Sequence, residues 1–166
     1  MNKRSFLFGG TTALALGAAA WTLRMPGRAE AAEGAFEVQF TQAEWKAKLS
    51  PAQYAVLREE GTESPWTSSL LEEHREGLFS CAACDLPLFD SATKFESGTG
   101  WPSFYQPLST TAVGETQDTA FGMLRTEVHC ARCGGHQGHV FPDGPEPTGL
   151  RYCINGVALK FVPKTV

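Results

Sequence analysis

Four of the five cysteines stand in two Cys-x-x-Cys pairs, Cys81/Cys84 and Cys130/Cys133, with 45 residues between the pairs. A two-residue spacer lets both sulfurs of a pair reach one ion. Two such pairs supply the four thiolates of a closed, tetrahedral structural zinc site. A redox disulfide within one pair is the competing chemistry, but that motif normally comes singly on a βαβ unit, and no βαβ pattern is present. A catalytic zinc fits less well, because four protein thiolates leave no open position for water. The His-x-Glu element of zinc deaminases is also missing, since Ser80 and His129 precede the two pairs. One structural zinc is therefore expected on Cys81, Cys84, Cys130 and Cys133.

Cys153 is left over. A lone cysteine is most often a small buried hydrophobe. Its context here is different: Arg151, two residues away, is a cation that favours thiolate, and upstream comes His136-Gln137-Gly138-His139-Val140-Phe141. A histidine pair near a single free thiol reads as a nucleophile with acid/base partners. His129 adjoins a ligand cysteine and reads as structural, and His74 lies among charges and reads as solvated. The string Ser97-Gly98-Thr99-Gly100-Trp101-Pro102-Ser103-Phe104 imposes an irregular loop that presents Trp101 as a rigid apolar wall, with a core tryptophan as the alternative.

These groups need elements to position them. The stretch 41–61 reads as helical: Thr41 and Glu44 form a capping box, and Trp45 and Leu49 share one face. Ser50-Pro51 restarts the helix with Gln53 at its third position, Tyr54 and Leu57 face inward, and Gly61 is the stop. A third short helix is expected over 68–76, ending at Gly77. Beyond it, β-type segments are expected at 78–80, 88–89, 119–129, 139–141 and 150–162. In the last of these, Arg151, Cys153 and Asn155 alternate with Leu150, Tyr152 and Ile154, so strand geometry sets the polar trio opposite a core-facing trio. Asn155-Gly156 is a strong hairpin dipeptide that makes 157–162 a returning strand, although a bulge fits too.

Length and composition agree with this reading. A chain of 166 residues and 18.0 kDa, 42% apolar, with 17 Gly and 10 Pro, fits one β-rich, turn-rich domain and excludes disorder, a coiled coil or a repeat array. A net charge of -4 and a pI near 5.6 argue against nucleic-acid binding by bulk basicity.

The first 32 residues are set apart, with Lys3, Arg4, Arg24 and Arg28 against the single acid Glu30; the rest carries 10 basic and 17 acidic residues. A basic pair, an apolar run over 6–21 and an A-x-A-like site at Ala29-Glu30-Ala31 read as an export signal. The run is short of the roughly 20 residues a spanning helix needs, so an uncleaved anchor is the alternative. The string Asn2-Lys3-Arg4-Ser5-Phe6-Leu7 resembles a twin-arginine signal with Lys3 in place of the first arginine; the ordinary secretory route is the alternative. Residues 1–32 are thus expected to be a cleaved signal, 33–40 a connector and 41–166 the folded domain. The expected destination is the periplasm, with membrane contact only through the signal.

The motifs, in order, resemble the B-type methionine sulfoxide reductases, which reduce the R epimer of methionine sulfoxide. The matching strings are Ala43-Glu44-Trp45 with Leu49 and Pro51, Gly61-Thr62-Glu63, the two Cys-x-x-Cys pairs, Lys94 through Phe104, Gly135 through Phe141, and Gly149 through Asn155. The resemblance implies a mainly β fold of two antiparallel sheets, stapled by zinc, with short N-terminal helices. It implies Cys153 as nucleophile and His136 and His139 as the groups that bind and protonate the sulfoxide oxygen. It also implies Trp101 as the wall against the substrate methyl, Phe141 beside it, and Arg151 and Asn155 in support. Oxidised proteins are the implied substrates, in a monomeric repair enzyme active against oxidative stress. Many members carry a cysteine where this chain has Thr99, and that cysteine resolves the sulfenic acid. With four cysteines on zinc, Cys153 is instead expected to be recharged by an external reductant, a thioredoxin-like protein or a small thiol. A zinc-stabilised binding module without catalysis is the rival reading. Gly156, where serine is frequent in the family, is expected to affect turn geometry more than chemistry.

Overall fold

The computed structural model describes residues 36–165; the segment read as an export signal lies outside them. Both expected helices form, each closed at its start by a capping box. In α1 (Gln42–Lys48) Thr41 and Glu44 satisfy each other's backbone N–H, and in α2 (Pro51–Glu59) Ser50 and Gln53 do the same. Leu49 is extended between them because the residue before Ser50-Pro51 must leave the helix for the cap to form. The stop differs by one residue. Glu60, not Gly61, takes the left-handed conformation (φ 57°), and Gly61 N–H closes the end onto the Ala55 carbonyl at 2.9 Å.

Among the described residues nine strands follow: β1 (Gly77–Cys81), β2 (Pro87–Asp90), β3 (Lys94–Phe95), β4 (Ser103–Phe104), β5 (Val113–Asp118), β6 (Arg125–Cys130), β7 (His136–Phe141), β8 (Arg151–Ile154) and β9 (Leu159–Pro163). They make two antiparallel sheets, in the order β2-β1-β9 and β3-β4-β8-β7-β6-β5. The expected mainly β fold with two sheets and short N-terminal helices is what the chain adopts.

Several local expectations are corrected. The third helix over 68–76 is a single 3-10 turn, Ser69–Glu72, and Gly77 lies within β1, where the Phe161 ring and the Val162 carbonyl leave no room for a Cβ. The strand expected at 119–129 is formed only in its second half: a 3-10 turn spans Ala120–Gly122, and β6 begins at Arg125. β5 itself, Val113–Asp118, is polar enough to escape notice, since it lies at the sheet edge. The Asn155-Gly156 dipeptide does not make a hairpin. It leads into a 3-10 turn, Gly156–Ala158, and β9 crosses to the other sheet to pair with β1, Gly77 opposite Pro163 through Cys81 opposite Leu159.

The sheets are held together by aromatic rings. Phe79 and Phe89 from the small sheet meet Phe104 from the large one at centroid distances of 5.0 and 4.4 Å, and Tyr152 lies 5.9 Å from Phe89. All three phenylalanines are fully buried. Each contributes roughly 1.5–3 kcal/mol of burial. Trp45, Tyr54, Val56 and Leu57 bring the helices onto the same core.

Candidate active site and metal centre

The four paired cysteines converge. Cys81 ends β1 and Cys130 ends β6, so each pair sits in the turn that leaves its strand. The two turns share one hydrogen-bond pattern. The N–H four residues on returns to the first cysteine's carbonyl, Asp85 to Cys81 and Gly134 to Cys130, both at 2.9 Å. The cysteine's own N–H reaches the carbonyl five residues on, Leu86 or Gly135. Both closures need a left-handed residue, Asp85 (φ 60°) and Gly134 (φ 66°).

The four sulfurs lie within 4.8 Å of one another, with Cys81 to Cys133 at 3.7 Å and Cys84 to Cys130 at 3.5 Å. Zinc–sulfur bonds of about 2.3 Å in a tetrahedron put sulfurs about 3.8 Å apart, whereas a disulfide needs about 2.05 Å. The donor set fits a closed zinc centre and not a disulfide. One pair comes from each sheet, so an ion there ties the two sheets together.

Cys153 stands apart from that cluster, on β8. Opposite it in the ladders are His139 on β7 and Ser103 on β4. Arg151 and Cys153 are half-buried while Tyr152 and Ile154 are buried, as the expected alternation requires. Asn155 departs from it. The residue follows the strand end, only 3% exposed, with its side chain turned inward: Nδ2 donates to the Gln137 carbonyl at 3.0 Å and Oδ1 accepts the Glu63 N–H at 3.0 Å.

That inward turn explains how two histidines three residues apart share one face. In an unbroken strand His136 and His139 point to opposite sides. Here Val128 pairs with Gly138 but His129 pairs with His136, leaving Gln137 as an extra, bulged residue. The bulge shifts the alternation, and the two imidazole rings meet edge-on at 5.4 Å. Asn155 satisfies the bulge, its N–H and its Nδ2 both donating to the carbonyl of Gln137. At Gly138 a Cβ would overlap the Cys153 carbonyl, so β7 and β8 approach this closely only with glycine.

Each histidine has a carboxylate that residue patterns did not single out. His136 Nδ1 is 2.8 Å from Glu127 on β6, and His139 Nε2 is 2.8 Å from Asp118 at the end of β5. Asp118 is shared, since Arg125 also donates to it at 2.6 Å. The Ala120 N–H, with His139 and Arg125, holds the Asp118 carboxyl down at about 2. Burial pushes Glu127 up, but the hydrogen bond from His136 and the surrounding histidines outweigh it and leave the carboxyl below its ordinary value. Burial pushes His139 down despite Asp118, favouring the neutral ring. His136 Nε2 is buried and has no partner.

The thiolate expected beside Arg151 is not favoured at rest. Burial raises the Cys153 thiol above its ordinary value, and Thr99 and Arg151 offset this only in part. The guanidinium is engaged elsewhere, paired to both oxygens of Asp143 at 2.9 Å and stacked 4.6 Å over the Phe141 ring. Phe141 in turn lies 6.3 Å from the His139 ring.

Trp101 is half-buried and fixed by its Nε1, which donates to the Glu63 carbonyl at 3.1 Å. Glu63 is a further residue outside the expected site. Its carboxylate accepts the N–H groups of Gly156 and Val157, the latter at 3.0 Å, while its own backbone joins Asn155 and Trp101. Glu63 belongs to the Gly61-Thr62-Glu63 string, which marked it, but its role comes from contacts 92 to 94 residues away. Of the other histidines, His74 is exposed, and His129 packs edge-on against Phe36 at 5.7 Å.

The SelR domain family matches residues 49–163. A peptide methionine sulfoxide reductase MsrB of Pseudomonas putida (strain W619) is 59% identical over 128 residues, covering 77% of this chain and 96% of that protein. The protein of the same name from Thiobacillus denitrificans is 59% identical over 124 residues, 75% of this chain and 94% of its own. That of Leifsonia xyli subsp. xyli is 52% identical over 136 residues, 81% and 98% respectively. With a bulge that joins two carboxylate-held histidines beside Cys153 and a four-cysteine centre between the sheets, the chain belongs to the SelR-domain family of MsrB enzymes.

Proposed function

We propose that this enzyme reduces methionine-R-sulfoxide in oxidised proteins to methionine, with Cys153 as nucleophile. The observation that carries the reading is His136 Nε2: a buried ring nitrogen without a partner, on an imidazole fixed from behind by Glu127 and facing its neighbour His139. An unsatisfied buried polar atom is costly unless a ligand meets it; with Nδ1–H given to Glu127, the protonated ring offers Nε2–H to a sulfoxide oxygen, an acceptor of suitable size.

Cys153 Sγ attacks the sulfoxide sulfur, the sulfur–oxygen bond of the substrate breaks, and the oxygen ends on Sγ. The products are methionine and a Cys153 sulfenic acid. No net proton is consumed, because the proton of the resting thiol ends on the transferred oxygen. A neutral His139, opposite Cys153, takes that proton from Sγ and returns it to the transferred oxygen, while Nε2–H of a protonated His136 donates to the oxygen as negative charge develops. Trp101 and Phe141 wall the methyl side, Arg151 stabilises charge on Sγ, and Asn155 keeps the bulge in place. One thiol of an external reductant, a thioredoxin-like protein or a small thiol, then displaces water to give a mixed disulfide. A second thiol releases Cys153 and leaves the reductant oxidised. All five cysteines of the sequence are accounted for in this scheme, since four hold one zinc as a closed structural centre.

The test compares wild type with Cys153→Ser on a peptide carrying methionine-R-sulfoxide, with dithiothreitol as reductant. Turnover in the wild type only, with a dimedone adduct on Cys153 after one cycle, is expected. No turnover in either protein would favour the zinc-stabilised binding module, and an intramolecular disulfide would defeat the external recharging step. Residues 1–32 support export to the periplasm through the basic Lys3-Arg4 pair and the apolar run that follows; a mature N-terminus found in the cytosolic fraction would overturn this.

A further inference from the structure

We propose that Ser103, Ser97 and Thr99 form a hydroxyl chain that ends on Cys153 Sγ and donates a hydrogen bond to that sulfur. Thr99 is then a further catalytic residue, touching the reacting atom, and the two serines are positioning residues. The inference rests on the reading of Cys153 as the nucleophile.

The chain is continuous. Ser103 Oγ lies 2.8 Å from Ser97 Oγ, Ser97 Oγ lies 2.8 Å from Thr99 Oγ1, and Thr99 Oγ1 lies 3.9 Å from Cys153 Sγ, within reach for a sulfur partner. Its far end is fixed, since Ser103 is 1% exposed and faces Cys153 across the β4–β8 ladder. Its middle is pinned by the Thr99 N–H, which donates to Ser97 Oγ at 3.4 Å. Ser103 Oγ has a second neighbour, the Trp101 carbonyl at 3.1 Å.

Proton counting gives the chain one direction. Each hydroxyl has one proton to donate, and a carbonyl can only accept. Ser103 Oγ donates to Ser97 Oγ, so Ser97, which also accepts the Thr99 N–H, is left to donate to Thr99 Oγ1, and Thr99 to the sulfur. The row delivers a hydrogen bond to Sγ, which favours thiolate over thiol. No proton enters or leaves the chain, so it is a row of aligned dipoles and not a proton wire. Each bond polarises the next, so the two serines strengthen the donation from Thr99. Once the oxygen has moved to Sγ, Thr99 hydrogen-bonds the sulfenic acid and, having no thiol, cannot condense with it.

The test is alkylation of Cys153 by iodoacetamide, read by mass spectrometry on the Cys153 peptide of the zinc-loaded protein between pH 6 and 10. The charged and titratable groups around Cys153 are Arg151 and Asp143 beside it and His139 across the ladder, and all variants keep them. Thr99→Val is expected to slow alkylation at pH 7.5 about tenfold and Thr99→Ser to stay within about twofold of wild type. Ser97→Ala, whose hydroxyl does not touch the sulfur, is expected to slow it about threefold. Wild-type rates in Thr99→Val would overturn the proposal. Wild-type rates in Ser97→Ala with a slow Thr99→Val would reduce it to Thr99 acting alone and overturn the chain. Alkylation needs no sulfoxide, so failure of the reductase reading would appear separately, as absence of peptide turnover by the wild type.

Discussion

Glu63 offers the sharpest test of how the site is assembled. Its backbone holds Asn155 and Trp101, while its carboxylate alone holds the N–H groups of Gly156 and Val157 in the turn after β8. Glu63→Ala keeps the first pair of contacts and deletes the second. Hydrogen bonds to a charged group contribute about 1.5–3 kcal/mol each. A groove of about 680 Å³ lined by Glu63, Gly156 and Val157 admits water to the freed N–H groups, which favours the low end of that range. The expected loss is therefore about 3 kcal/mol, or a fall in Tm of about 10 °C for a domain of this size. Glu63→Gln keeps one acceptor oxygen and should lose about half as much. Asn155 stands directly before the freed turn, so the bulge at Gln137 loosens as well. A misplacement of the histidine pair should lower kcat about tenfold or more, with KM changed little. Scanning calorimetry of the zinc-loaded variants, paired with dithiothreitol-driven turnover of a sulfoxide peptide, reads both effects. A Glu63→Ala protein melting within about 3 °C of wild type would refute the assignment of the carboxylate as the clamp on this turn.

Gly138→Ala places a methyl on the Cys153 carbonyl, and the β7–β8 ladder must part; a loss of about 3 kcal/mol in urea unfolding and of most turnover is expected. Removing zinc with a strong chelator should abolish the cooperative thermal transition, because the site ties one sheet to the other and is worth roughly 10 kcal/mol or more in small zinc domains; retention of the native near-ultraviolet spectrum after verified metal loss would contradict this. Asp118 is held at about 2 in the folded protein, below its unfolded value of about 3.9. Its stabilising effect is therefore present above about pH 4 and is lost as the pH falls towards 2. The stability difference between wild type and Asp118→Asn should shrink across that window, and a constant difference would remove Asp118 as its source.

Much of this molecule is legible along the chain where the physics is local. Thr41 with Glu44 and Ser50 with Gln53 announce two capped helix starts, because the partners in a capping box are three residues apart. The two Cys-x-x-Cys turns are equally local, each closed by hydrogen bonds over four and five residues. Alternation in β8 sets Arg151 and Cys153 apart from Tyr152 and Ile154 before any partner strand is known. Local signals mislead where a distant contact outweighs them. Asn155-Gly156 has the residues of a tight hairpin, yet Glu63 grips Gly156 and Val157 from 93 and 94 residues away, and β9 goes to the other sheet.

The sequence by itself determined which groups are available for chemistry: four cysteines spaced for one tetrahedral ion, one cysteine left over, and two histidines upstream of it. Residue type sets the reactivity of a side chain, and spacing within a turn sets which neighbours it can reach, so those facts survive without a fold. Only the tertiary structure decided that the histidines stand together, because strand alternation separates them and the bulge at Gln137, held by Asn155, reunites them. It also decided that Glu127 and Asp118 stand behind them, and that the Cys153 thiol is raised by burial more than Arg151 lowers it. Desolvation and cross-strand register are properties of packed neighbours, and no single segment of the chain contains them.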